Sequence, residues 1–370
     1  MDSVDVSLLT CGPGAEVYTL YGHTAIRIND RTSHEDLVVN YGMFSFEQPF
    51  FILRFVFGLT DYQMGITTME HFTQAYQSES RWIKEQRLNL TAAEKASLLK
   101  AIAENYEPEN RTYRYNYFYD NCTTRARDMI VSHIGGTISY PGCSEEGASF
   151  RELTHAWNAN HHWARFGNDL LLGLKADQPT TLAQRQFLPD NLRQDFAKAV
   201  VADKNGNRRQ LVADEQQIGH AAKSLDFSVS AFITPTLCFA VLALLVLVAS
   251  IVEYKHRRHY WMLDAFLLAA DGLAGIILLL MVFSKHPTVS LNLQILLLNP
   301  LSLIFLYPAV NKSRRGGLHW FWIALSCCIL LFFIGNLLQC YAEGMNILAL
   351  SLLIRCWVNI ETKSLQKKKK

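Results

Sequence analysis

Apolar and polar positions divide the chain into two regimes. Up to about Asp226 charged and apolar residues alternate over short periods; beyond it, long apolar runs are separated by short charged loops. In the first regime Val6–Thr10 is a short apolar strand, ended by the turn Cys11-Gly12-Pro13-Gly14. His23–Ile28 alternates, with His23, Ala25 and Arg27 on one face and Thr24, Ile26 and Ile28 on the other, which is the period of a strand. Leu37–Tyr41 is its partner in a hairpin, and this places Asn40 within reach of His23. Thr91–Glu104 is a helix opened by a capping box, Thr91 with Glu94. Tyrosine at every second position from Tyr113 to Tyr119 predicts a strand with one aromatic face. Asp120-Asn121 then turns the chain into a helix over Cys122–His133, N-capped by one of those two residues and ended by Gly135-Gly136. Phe44–Gly58 is dense in aromatics (Phe44, Phe46, Phe50, Phe51, Phe55, Phe57). It reads equally as an apolar wall or lipid-dipping face and as ordinary core.

The second regime holds five segments of about the 20 residues that span a bilayer: Phe227–Val252, Tyr260–Phe283, Val289–Val310, Leu318–Cys340 and the shorter Met345–Ile360. Their loops alternate in charge. Lys255-His256-Arg257-Arg258-His259, Lys312-Ser313-Arg314-Arg315 and the terminal Lys367–Lys370 are basic; Lys285-His286-Pro287 and Tyr341-Ala342-Glu343 are not. Basic loops stay in the cytoplasm. The C-terminus is therefore expected to be cytoplasmic, and with five spans the N-terminal region lies across the membrane, in a Gram-negative cell in the periplasm. The expected domains are residues 1–225, periplasmic, and 226–370, an all-α transmembrane domain. Asp264 and Asp271 share one face of the second span. We expect Asp264 at the membrane interface and Asp271 bonded to a neighbouring helix; neither relay nor repeat symmetry suggests a transporter.

Composition narrows this further. Half of the 370 residues are hydrophobic, and the net charge of +2 gives no nucleic-acid footprint. Met1–Asp5 has neither a basic n-region nor an apolar h-region. For a domain outside the cytoplasm, the expectation is an export signal that has been removed, with Met1 added.

Two residues of the first regime carry chemistry. Cys122 opens a helix, where unpaired N–H groups and the helix dipole favour a thiolate and can also hold an oxyanion. His23 in Tyr21-Gly22-His23-Thr24-Ala25 can take the thiol proton and return it to a leaving group. A third polar group usually orients such a histidine, and Asn40 is the candidate, with Asp120 second. The alternative for Cys122 is a disulfide. Cys11, Cys122 and Cys143 are the cysteines of this half, and a Cys11–Cys143 pair would leave Cys122 free. His161-His162-Trp163 has no acid or cysteine at metal-site spacing, so no metal or other cofactor is implied.

Histidine first and cysteine second, at a strand-to-helix turn, resembles the circularly permuted papain-like group, which includes the lecithin:retinol acyltransferase-like enzymes. The fuller pattern is similar to the Lnb-type family of lipoprotein N-acyltransferases of Bacteroidota. It comprises Leu8–Gly14, Tyr21–Arg27, Asn40-Tyr41-Gly42, Asp120–Arg125, Trp163–Asp169 and Phe187–Asp190. The resemblance implies an α+β permuted papain-like thiol domain followed by five transmembrane helices. It also implies acyl transfer from a phospholipid, through a Cys122 thioester, to the α-amine of a diacylated lipoprotein, with His23 as base. Substrate contacts are expected from Tyr21, Tyr119, Asn121 and Arg125; Arg125 and Arg127 suit a solvated helix face equally well. The rivals are a phospholipase, a peptidoglycan hydrolase, and a membrane scaffold with an inactive thiol domain.

Overall fold

The computed structural model describes residues 1–45, 47, 49–143, 146–219 and 233–367. Phe46 of the aromatic segment, residues 227–232 of the first expected span and Lys368–Lys370 lie outside them. The chain forms two compact units, Met1–Trp157 with Pro179–Asp226, and Asn158–Gln178 with Phe227–Lys370.

In the first unit the chain runs through β1 (Val4–Cys11), β2 (His23–Asp30), β3 (Glu35–Met43), α1 (Phe51–Val56), β4 (Asp61–Thr68) and α2 (Met69–Ser78). It continues through β5 (Ile83–Leu88), α3 (Ala92–Tyr106), β6 (Thr112–Arg114), α4 (Cys122–Val131), β7 (Gly136–Ser139), β8 (Glu146–Ser149) and α5 (Phe150–Asn158). After α6 (His162–Leu171), which belongs to the second unit, come β9 (Pro179–Thr181), α7 (Leu182–Arg185), α8 (Pro189–Lys198), β10 (Val200–Asp203), β11 (Arg208–Gln210) and β12 (Val212–Gly219). Seven strands form an antiparallel sheet in the order β12-β5-β1-β2-β3-β4-β6.

The centre of this sheet is buried on both faces. Val4, Val6 and Leu8 of β1 join Ile26 and Val39 in a core closed by Leu98 and Ile102 of α3, Ala126 and Ile130 of α4, and Leu192 and Phe196 of α8. Leu9 and Cys11 point the other way, to Ala25, Val38 and the α2 residues Met69 and Phe72. Fully burying one such aliphatic side chain stabilises the fold by about 1.5–3 kcal/mol, which fixes the register of β1 against β2. That register sets Cys11 opposite His23.

Two segments differ from expectation. The aromatic strand stops at Arg114, because the Asn116 side chain accepts from the N–H groups of Phe118 and Tyr119 and closes a turn in place of the ladder. The tyrosines nevertheless stack inward, Tyr115 on Tyr62 and Tyr117 against Tyr21. Of the phenylalanine segment, Phe44, Phe51 and Phe55 stack on one another, while Phe50 and Leu53 are exposed.

The second unit contains α9 (Pro235–His256), α10 (Trp261–Val282), α11 (Leu301–Arg314), α12 (Trp320–Gly335) and α13 (Met345–Lys367). Among the described residues, three stretches are long and apolar enough to cross a membrane: α9, α10, and Leu293–Arg314; α12 is shorter. The third expected span is broken. A short 3-10 turn, Leu293–Leu296, precedes α11, and the break falls at Asn299-Pro300, since a residue before proline avoids the helical region. Gly275 permits this irregular backbone to touch α10, for a Cβ there would sit 2.5 Å from Pro300 N.

Polar residues in these helices are paired. Asp264, in the first turn of α10, is fully buried among these helices and bonds Arg355 at 2.7 Å and Asn359 at 3.0 Å. Asp271 accepts from the Ser302 hydroxyl of α11, the helix-to-helix bond expected of it. Asn292, Gln294 and Gln339 donate their amides to the carbonyls of Leu170, Asp169 and Leu172, fastening residues 158–178 to this unit.

Candidate active site

Asn121 caps α4 as a capping box, its side-chain oxygen accepting from the N–H groups of Thr123 and Thr124 at 2.9 Å each. Its amide donates to the carbonyls of Tyr117 and Phe187, so the turn that presents the cysteine is fixed from three sides. Cys122 is the first residue of the helix, and its own N–H is the first-turn donor that the cap does not take. An oxyanion bound there would meet that one amide, not the whole helix end.

His23 opens β2. Its Nε2 lies 3.1 Å from Asn40 Oδ1. The Asn40 oxygen accepts, so Nε2 carries the proton and Nδ1 keeps its lone pair. The imidazole and the Cys122 thiol are hydrogen-bonded partners, which leaves Nδ1 as the nitrogen that meets sulfur. Asp120, the second candidate for orienting the histidine, is held by Arg125 in a bidentate pair at 2.6 and 2.8 Å.

Burial pushes the Cys122 thiol up. The charge and hydrogen bond of His23, the Thr24 N–H and the Thr123 hydroxyl outweigh it and bring the thiol down to about 7. Burial likewise lowers His23, but the Cys122 charge, its hydrogen bond and Asn40 leave the imidazole above its ordinary value. Both shifts favour a thiolate–imidazolium pair. The Thr24 N–H is available because β2 pairs with β3 only from Ala25 onward. Behind the dyad the hydroxyls of Thr24 and Thr123 meet at 3.1 Å and join strand to helix.

A glycine turns the backbone beside Cys122. β3 bulges between Asn40 and Met43, and Gly42 there has φ +84°. A Cβ at this position would lie 3.5 Å from Cys122 Cβ.

The dyad lines a cleft of about 230 Å³. Tyr21 and Asn121 line it too; Tyr119 does not, and packs on Phe150. Arg125 also stays outside the cleft, stacked over Tyr113 at 3.8 Å. Arg127 donates to the Ala183 carbonyl. The cysteines are free among the described residues: Cys11 is buried and Cys143 donates to Asp195, so the contemplated Cys11–Cys143 bond is not formed. Gly42, Thr24, Thr123 and Arg81 are site residues that pattern does not announce. Only the bulge glycine has a local signal, in Asn40-Tyr41-Gly42.

Two family profiles match the chain. One, described as the Lnb N-terminal periplasmic domain, covers residues 1–154; the other, described as the Lnb transmembrane domain, covers 227–368. No curated protein and no solved structure matches it.

Proposed function

Because the chain belongs to the Lnb family, and so pairs a periplasmic domain with a transmembrane domain, we propose that it is a thiol-dependent lipoprotein N-acyltransferase of the bacterial inner membrane. The N-terminal unit is read as a permuted papain-like domain and the C-terminal unit as five spans ending in the cytoplasm. The observation that carries the reading is the line Asn40–His23–Cys122 at a helix N-terminus.

The Cys122 thiolate attacks the carbonyl carbon of an ester in a membrane phospholipid, and the charge that develops on oxygen faces the Cys122 N–H. When the carbon–oxygen bond breaks, the imidazolium of His23 gives its proton to the departing alkoxide. A lysophospholipid leaves and the acyl group remains as a thioester. The α-amine of a diacylglyceryl-cysteine then attacks that carbon, His23 takes the amine proton, and the thiolate departs. The products are an amide and the starting dyad. Asn40 keeps Nε2 protonated throughout, which keeps Nδ1 facing sulfur. A thioester suits this exchange, because an amine attacks it more readily than it attacks the ester from which it came.

The test is the intact mass of a reporter lipoprotein from cells that lack their own N-acyltransferase. Wild type should add one acyl chain and Cys122→Ala none. No gain from well-expressed wild type would sink the transferase reading and direct attention to phospholipid and muropeptide hydrolysis.

A further inference from the structure

The catalytic cleft contains a charged group that the dyad does not use. Arg81, just before β5, lines the cleft together with Cys122 and His23, and is only 6% exposed. Its Nε donates to the Gly12 carbonyl at 2.8 Å and its Nη1 pairs with Glu79 at 2.9 Å, while the guanidinium lies over the Tyr76 ring at 4.4 Å. The pair with Glu79 is lopsided: the carboxylate is 56% exposed and is not part of the cleft wall. No Asp or Glu lines the cleft among the described residues, and the rest of its wall is largely tyrosine, phenylalanine and other uncharged groups.

A thiolate–imidazolium pair is neutral overall, so Arg81 gives the cleft a net positive charge. Burying a guanidinium is costly unless it is paired, and here its partner is screened by water while its own surroundings are not. A site of that kind stabilises an anion brought in by the substrate. A glycerophospholipid carries its phosphodiester on the same glycerol as its esters, so a donor whose ester carbonyl reaches Cys122 must place an anion close by. We propose that Arg81 is the phosphate-binding residue of the acyl-donor site and selects phosphate-bearing glycerolipids over neutral ones. This rests on the phospholipid-donor reading above and adds the residue that recognises the headgroup.

The experiment follows alkylation of Cys122 by iodoacetamide in the full chain in detergent, read from the mass of its peptide. The probes are a diether phosphatidylethanolamine, which has no ester to cleave, the corresponding diether glycerol without phosphate, and inorganic phosphate. The diether phospholipid should protect wild-type Cys122 at about tenfold lower concentration than the diether glycerol, the scale of one charge-assisted contact. In Arg81→Gln that advantage should vanish. Glu79→Gln lies on the surface and frees the guanidinium from its counterion, so there the advantage should grow; it serves if Arg81→Gln does not fold. Equal protection by both lipids in wild type, an undiminished advantage in Arg81→Gln, or no change in Glu79→Gln would each overturn the assignment. Inorganic phosphate protecting as well as the lipid would also overturn it, by showing a site for free anions. Wild type that is protected in this way but acylates no lipoprotein would refute the transferase reading and leave the Arg81 site standing.

Discussion

At the scale of the residue, the site turns on one balance. Burial opposes the Cys122 thiolate, and His23, Thr24 and Thr123 reverse the outcome, to about 7. Deprotonation of the thiol governs reaction with iodoacetamide, so the wild-type rate should rise with pH and reach half its maximum near pH 7. Acid should suppress it by protonating the sulfur. Without His23 only the weaker opposing groups remain against burial. His23→Ala should move the midpoint above the ordinary thiol value of 9.0, and cut the rate at pH 7 by more than about tenfold. A midpoint that stays near 7 in His23→Ala would show that the helix end alone holds the thiolate. In the proposed mechanism ester cleavage has a second limb, because the departing alkoxide needs a protonated imidazole. With His23 raised, acyl-enzyme formation should climb through pH 7 and fall once pH exceeds the imidazole value. Asn40→Ala removes a hydrogen bond to a ring that becomes charged, a loss of about 10- to 100-fold in acylation rate. Because Asn40 acts on the thiol only through the ring, the alkylation midpoint should move up less than it does in His23→Ala while the acylation rate falls.

At the scale of the element, the bulge of β3 and the cap of α4 deliver these residues, and each can be broken singly. Asn121→Ala leaves Thr123 and Thr124 N–H without their acceptor, and should cost about 1–2 kcal/mol. Thermal unfolding followed by tryptophan fluorescence should then fall by several degrees; an unchanged midpoint would mean that the cap is dispensable. Gly42→Ala forces a side chain into φ +84° against Cys122 Cβ and should cost about 1–2 kcal/mol as well, with a larger loss of activity than of stability. Much of this architecture is legible in the sequence. Alternation in β2 and the Thr91–Glu94 box are local signals, and both elements are present, the box with both of its bonds. The Asn121 cap is legible for the same reason. What pattern does not disclose depends on which side chains engage the backbone and on neighbours distant in sequence. Tyr113–Tyr119 has the period of a strand, yet one Asn116 side chain turns it. Val289–Val310 is apolar enough for one helix, yet Pro300 interrupts it and Gly275 accepts the break. Arg81 lies 41 residues before Cys122, and nothing local marks it as part of the same cleft.

At the scale of the whole molecule, orientation follows from which segments gather at which end of the helical unit. Residues 158–178 directly follow the matched periplasmic domain. Their backbone pairs with the stretch before α11, Gly173 N–H to Thr288 and Leu174 N–H to Leu291, and Gln339 bonds the Leu172 carbonyl. His162 meets Glu343, which also accepts from Thr236 at the start of α9. The start of α9, the α10–α11 connection and the α12–α13 connection therefore share one end, and their loops are the non-basic ones. The α9–α10 and α11–α12 connections hold Lys255–Arg258 and Lys312–Arg315. A chain that begins outside the cytoplasm thus puts its basic loops inside, where the positive-inside rule expects them. On the five-span reading proposed above, the same parity sends α13 inward. Its Arg355 binds Glu253 and Asp264, residues on either side of the Lys255–His259 loop, at the basic end. Alkaline phosphatase inserted after Pro287 should therefore be active, and after Gly316 inactive. A green fluorescent protein joined after Lys370 should fluoresce. Phosphatase activity at Gly316 would reverse the helical unit. A dark, exported C-terminal fusion with the two loop insertions as expected would show that α13 does not cross, leaving four spans and a periplasmic C-terminus.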